Sequence, residues 1–245
     1  MLTGKNRMKL NCDLAEIDNG VAELVMPFID MANICCAAHA GSTALIKSTL
    51  KLAKKYQVEI GAHPSYPDRE NFGRKSINIS KQELTETLYQ QISLVCLLAH
   101  ENGQEVSYVK PHGALYNDMI NDEQLFILIL KVIEQINSSL KLMLLATPNN
   151  QHFRQLANAF GIELIFEAFA DRRYTDDGFL MSRTVSGAVL NKEQTLAQVQ
   201  QLIATQTVET SGKRLLPLNA QTVCVHGDNK DGVDLIKELK ELCHQ

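Results

Sequence analysis

ANICCAAHAG, residues 32–41, is a short apolar run that stops abruptly on a histidine, His39, followed by Ala40 and Gly41. The same pattern returns in VEIGAHPSYPD (58–68, His63), SYVKPHGALYN (107–117, His112) and TVCVHGDN (222–229, His226). A fifth run, MKLNCDLAE (8–16), ends on two carboxylates, Asp13 and Glu16. Short apolar runs bounded by Gly, Pro and polar residues read as buried strands. Strands that repeatedly hand over to titratable side chains at one end predict an α/β enzyme with its site at the carboxyl edge of the sheet.

Working outward, strands are expected over 9–14, 31–37, 58–62, 107–111, 141–146, 163–169 and 222–226. Helical periodicity separates them. Ser80 with Glu83 forms a capping box for a helix whose inward stripe is Leu84, Leu88, Ile92 and Val95, and Gly103 stops it. Asn121 is expected to cap a second helix carrying Leu125, Leu128, Ile129, Val132 and Ile136. Further helices are read at 42–56, 149–160 (closed by Gly161), 192–205 and 230–242. About seven βα units of this kind predict the α/β class and an irregular seven-stranded parallel β/α barrel, with an open doubly wound sheet as the rival. We expect one domain over 1–245, with 1–7 flexible. The stretch 170–188 is the longest irregular segment and is rich in charge, a composition that favours a functional loop.

The chain has 245 residues, net charge −4, 45% hydrophobic residues and six cysteines without a CxxC pair. A length of this order supports a large core. The charge offers no footprint for nucleic acid or anionic membrane. Neither a signal peptide nor an apolar run of the ~18 residues needed for a membrane span is read in it. Buried free thiols and a cytoplasmic, reduced protein are the expectation.

Asp13 and Glu16 are candidates for base, acid or metal ligand; alone, such a pair is as readily two solvated loop carboxylates. His39 and His63 end neighbouring strands, and with Asp13 they have the composition of an Asp-His-His divalent metal site. A single histidine there would more simply shape a turn, but four in equivalent places point to a shared site. Lys110 and His112 flank Pro111. A lysine in that extended position is costly to bury unless it meets an anion, and His112 is suited to proton transfer. Glu167, Asp171, Arg172, Arg173 and Arg183 surround the sixth strand, with Arg173 and Arg183 also readable as loop ion pairs. His226 and Asp228 can pair as an oriented acid/base, and Arg74 is a weaker anion-binding candidate. His100, His152 and His244 read as structural or surface residues. No Walker A, GxSxG, GxGxxG or HExxH pattern occurs.

NCDLAE, ANICCAAHAG, IGAHPSYPD, NFGR, YVKPHGALYN, EAFADRRY, SGAVL and CVHGD occur in this order. Together they resemble the LamB/YcsF family, from about Met8 to Asp228. The resemblance implies a barrel related to glycoside hydrolases and polysaccharide deacetylases. It also implies one component of ATP-dependent 5-oxoprolinase, which opens the lactam of 5-oxo-L-proline to L-glutamate with ATP (and Mg²⁺) as co-substrate and partner subunits B and C. Asp13, Glu16, His39, His63, Lys110, His112, Glu167, Asp171, Arg172, His226 and Asp228 stand where the family has them. Departures lie in the first loop (16–24), which is shortened, and at Ala15, where the family has glycine. ACGFHAGD also becomes CCAAHAGS, losing an aromatic at Ala38 and a carboxylate at Ser42. Two other readings stay open: a stand-alone metal-dependent hydrolase or deacetylase of a sugar or small amide, and a scaffolding component whose partners hold the chemistry.

Overall fold

Seven apolar runs pair edge to edge as parallel strands and close on themselves. The structure, a computed structural model, describes residues 7–227 and 229–244. Strands β1 (Lys9–Leu14), β2 (Met31–Cys35), β3 (Glu59–His63), β4 (Val106–Val109), β5 (Lys141–Leu145) and β6 (Leu164–Phe169) follow one another around the barrel. β7 (Thr207–Glu209) and β8 (Leu215–Pro217) leave it as a separate antiparallel hairpin, and β9 (Thr222–Val225) closes the circle between β6 and β1. The expected irregular seven-stranded parallel β/α barrel is therefore what the chain forms, and the open sheet is excluded.

The helices are α1 (Val21–Val25), α2 (Thr43–Tyr56), α3 (Lys81–Glu101), α4 (Gly113–Asn121), α5 (Glu123–Asn137), α6 (Asn150–Asn158), α7 (Lys192–Thr205), α8 (Lys230–Asp234) and α9 (Ile236–Cys243). Their apolar stripes bury against the outer barrel face; on α3 the predicted Leu84, Leu88, Ile92 and Val95 are all buried. Ser80 accepts from the Glu83 amide as expected, and Gly103 lies beyond the helix end at φ 66°. Ser42 caps α2 by accepting from Leu45 N, so the residue that lacks the family's carboxylate still performs the capping.

Two expectations are corrected and two short elements are added. Asp122, not Asn121, caps α5, through bonds to the Gln124 and Leu125 amides; Asn121 instead ends α4. That helix is only nine residues long, too short for its periodicity to separate it from the loop after His112. The segment 230–242 divides at Leu235, where φ −90° and ψ 0° interrupt the helix. The β7–β8 hairpin, with strands of three residues, is likewise too short for periodicity to reveal. The expectation of flexibility over 1–7 falls outside the described residues for 1–6; Arg7 reaches His244 and Asp30.

Inside the barrel, alternate residues stack in layers, because a strand's side chains change face with period two. At the lower end Met31, Tyr108, Met143 and Ile165 form an apolar plug separate from the main core. Gly61 makes room for it, since a Cβ there would collide with the Tyr108 ring. Two residues further along the strands the interior becomes polar: Asn11, Asn33, Lys110, Glu167 and Thr222 are all buried.

Candidate functional site

The polar layer is continuous across the barrel. Tyr108 donates to Asn33 Oδ1 (2.7 Å), and Asn33 donates to Asn11 Oδ1 (2.8 Å) and Asp13 Oδ1 (2.7 Å). Asn11 in turn donates to Glu167 Oε2 (3.2 Å) and Thr222 Oγ1 (2.9 Å), while Tyr116 from α4 donates to Glu167 Oε1 (2.7 Å). Lys110 occupies the centre at 2% exposure, 2.9 Å from Asp13 Oδ1, 3.1 Å from Glu167 Oε2 and 3.2 Å from Cys224 Sγ. Burial works most strongly against its charge, but Asp13, Glu167 and their neighbours together outweigh it and hold the ammonium. Burial likewise opposes the Asp13 charge, and Lys110 keeps that carboxyl well below the usual range. Burial pushes Glu167 up, with Lys110 acting against it. The anion expected for a buried lysine is thus supplied by the protein's own carboxylates.

Above this layer His39, His63 and His112 crowd around Glu16. Glu16 Oε1 lies 3.2 Å from His39 Nε2 and 3.1 Å from His112 Nδ1. His39 stacks on His112 with ring centroids 3.9 Å apart, and His63 meets both edge-on. Burial would raise the Glu16 carboxyl, but the His112 and His39 rings set against it prevail and hold it below its ordinary range. Burial takes His63 down to about 3 and also lowers His39, so both are neutral imidazoles at neutral pH. Two sets of side chains bring possible metal-ligand atoms within 4.8 Å of one another: Asp13, His63 and His112, and Glu16, His39 and His112. The sequence groups His39 with Asp13 and His63; the structure puts His112 in that place and His39 beside Glu16.

A second corner forms across the mouth. His226 Nδ1 faces Asp171 at 3.0 Å, and Asn229 donates to the same carboxylate at 2.8 Å. Burial most strongly opposes the Asp171 charge, but His226, Asn229 and Arg183 together outweigh it and draw the carboxyl down to about 2. His226 stacks against Phe169 (centroids 5.2 Å apart), which fixes its ring plane. The expected partner Asp228 lies outside the described residues; among those described, Asp171 orients His226.

Both corners open on a cleft of about 530 Å³ whose lining includes Asp13, His63, Lys110, His112, Arg172 and His226. The charged stretch after β6 folds over it. Arg172 pairs with Val189 and Tyr174 with Leu180 across that loop, and Gln198 of α7 donates to the carbonyls of Phe169, Ala170 and Arg172. Arg74 and Arg183 reach the same cleft, whereas Arg173 turns outward to Gly187 O. Cys12, Cys35, Cys36 and Cys224 are pushed up by burial and remain thiols. Among the described residues no helix is long and apolar enough to cross a membrane.

Asn11, Asn33, Tyr108 and Tyr116 belong to the site without having been singled out in the sequence. Period two carries the signal for two of them: Asn11 stands two residues before Asp13, and Tyr108 two before Lys110.

A family model described as the LamB/YcsF family matches residues 8–245. The chain is 45% identical over 242 residues to a Vibrio cholerae protein that carries the name of the A subunit of 5-oxoprolinase, covering 96% of this chain and 97% of that one. It is 40% identical over 246 residues to a protein of the same name from Vibrio campbellii, covering 98% and 97%. Among solved structures it is similar to a lactam utilization protein from Thermus thermophilus, with TM-score 0.86, 27% identity and 96% of each chain covered.

Proposed function

The chain belongs to the LamB/YcsF family, and from that premise we propose that it acts as the A subunit of an ATP-dependent 5-oxoprolinase. In this reading it opens the lactam of 5-oxo-L-proline to L-glutamate while ATP becomes ADP and phosphate. The names of its relatives support the substrate class. The observation that carries the chemistry is one cleft whose wall holds the Asp13 carboxylate, the buried Lys110 ammonium and a histidine oriented by a carboxylate.

A lactam resists water because its amide is a poor electrophile with a poor leaving group. Phosphorylation of the amide oxygen by ATP activates the carbon. A water then adds to it, the ring C–N bond breaks as nitrogen takes a proton, and a second water releases phosphate from the resulting acyl phosphate. For His226, donation from Nδ1 to Asp171 leaves Nε2 to accept the proton of the attacking water. Asp13 and Glu16 are held too acidic to be strong bases, so they orient that water and stabilise positive charge beside it. His63 and His112 complete the wall of the cleft. Arg172, with Arg74 and Arg183, gives the cleft guanidinium groups for a substrate carboxylate or phosphoryl group. Lys110 pairs with Asp13 and Glu167 beneath them.

ATP, with Mg²⁺, is the co-substrate of the assembly formed with subunits B and C in the cytoplasm. No Walker A pattern in this chain provides for it. The test is 5-oxoproline-dependent ADP release and glutamate formation by this protein with and without subunits B and C from the same source. Turnover only in the full mixture is expected. ATP-independent, chelator-sensitive hydrolysis by the chain alone would replace this reading with the metal-dependent hydrolase that the two histidine-carboxylate groups also suit.

A further inference from the structure

His63 and His112 face each other in a way that two neutral imidazoles cannot sustain. His63 Nδ1 lies 2.7 Å from the Lys110 carbonyl and His112 Nε2 lies 3.0 Å from the Phe72 carbonyl. A carbonyl only accepts, so each of those nitrogens carries the ring proton. The remaining nitrogens, His63 Nε2 and His112 Nδ1, are then lone-pair atoms, and they sit 3.0 Å apart. Two carboxylate oxygens join them. Glu16 Oε1 is 3.1 Å from His112 Nδ1 and 3.8 Å from His63 Nε2, and Asp13 Oδ2 is 3.5 Å from His63 Nε2. The other Asp13 oxygen already takes the Lys110 and Asn33 donors. Asp13, His63 and His112 thus present ligand atoms within 4.8 Å of one another, and Glu16 Oε1 lies within 3.8 Å of both rings, a setting suited to a cation.

We propose that His63 Nε2, His112 Nδ1, Asp13 Oδ2 and Glu16 Oε1 bind one divalent transition-metal ion. Metal–ligand bonds of ~2.0–2.2 Å place tetrahedral ligand atoms about 3.3–3.6 Å apart, and the separations of 3.0 Å and 3.8 Å bracket that spacing. Two imidazoles and two carboxylates suit zinc and its neighbours. Metal-bound histidines characteristically donate their second ring N–H to a backbone carbonyl or carboxylate, which both rings do here. His39, 3.2 Å from Glu16, steadies that ligand from behind. An ion in this position faces the cleft, where it would sharpen the acidity of a bound water.

The site stands on ligand geometry and not on the lactam reaction. The test uses the full chain, stripped by chelator and dialysed against Zn²⁺, with a parallel Co²⁺ titration followed by visible absorption. One ion per chain is expected, with cobalt bands of a low-coordinate nitrogen–oxygen site. His63→Ala and His112→Ala should each weaken uptake by at least about 100-fold, Glu16→Gln by about 10-fold, and the surface change His152→Ala not at all. If a histidine variant fails to fold, Glu16→Gln and the cobalt spectrum decide. Absence of saturable uptake at millimolar ion, or uptake indifferent to these substitutions, would overturn the site. Such a result, together with ATP-dependent glutamate formation, would leave the proposed function standing; metal uptake without that turnover would do the reverse.

Discussion

The two histidine corners of the barrel mouth use one residue type to opposite ends. At the His63–His112 corner both rings are buried and their tautomers are set by backbone carbonyls, which leaves lone pairs pointing inward at each other. At the His226 corner the ring is set by a carboxylate, Asp171, and lies at the wall of the cleft. A carbonyl partner fixes a ring without supporting positive charge on it, whereas a carboxylate partner stabilises the imidazolium. On this difference rest both proposals: a cation at the first corner and proton acceptance at the second.

Lys110 lies between the corners, and its removal should have the largest effect. Lys110→Ala leaves Asp13 and Glu167 buried without their counter-charge, with an expected loss of roughly 3–5 kcal/mol in a denaturant melt together with all activity. Asp171→Asn should separate the two corners most cleanly. Turnover of the reconstituted enzyme should fall about 10²–10⁴-fold, because the ring loses its orienting charge, and stability at neutral pH should fall by about 2 kcal/mol. A fall below tenfold would remove His226 from the proton-transfer role.

Acid should distinguish the corners in sequence. His63 is depressed to about 3 in the fold, so its contribution is complete above the ordinary histidine pKa of ~6.5 and is lost as pH falls from there through 3. Asp171 is also depressed, to about 2, so its contribution persists to about pH 4 and is lost below, amounting to about 2 kcal/mol. Melting temperatures should therefore decline in two stages on acidification. His63→Gln should flatten the upper stage and Asp171→Asn the lower one; a single stage in wild type would contradict the assignment. The smallest effect concerns the loops beneath Glu16 and His39. Ala15 (φ 64°) and Ala37 (φ 61°) hold left-handed backbone that favours glycine. Ala15→Gly and Ala37→Gly should each stabilise by ~0.5–1 kcal/mol, read as a higher melting temperature.

The histidine-ended strands make most of the barrel legible. Apolar runs closed by His39, His63, His112 and His226 mark the strand ends to within a few residues, because strand termination and site placement share one cause. Asp13, Glu16, Lys110, Glu167, Asp171 and Arg172 are legible at the mouth for the same reason. Their partnerships are not, since they depend on which strands meet across the barrel. Lys110 is met by Asp13 and Glu167 in place of the external anion its sequence context suggests, and His226 is met by Asp171 from another strand end. Asp122 displaces Asn121 as a cap because two adjacent residues both suit the role and only the path of the short α4 decides between them. Ala15 is visible in the sequence as a departure from the family's glycine; its left-handed φ of 64° is set by tertiary structure that the sequence does not display.

The most direct measurement is glutamate formation by the assembled complex carrying folded Asp13→Asn or His226→Gln in this chain. Loss of turnover with assembly intact is the predicted result, because the strand-end residues would then carry the chemistry. Undiminished turnover in both variants would remove these residues from the chemistry and make the barrel a scaffold for reactions performed by its partners.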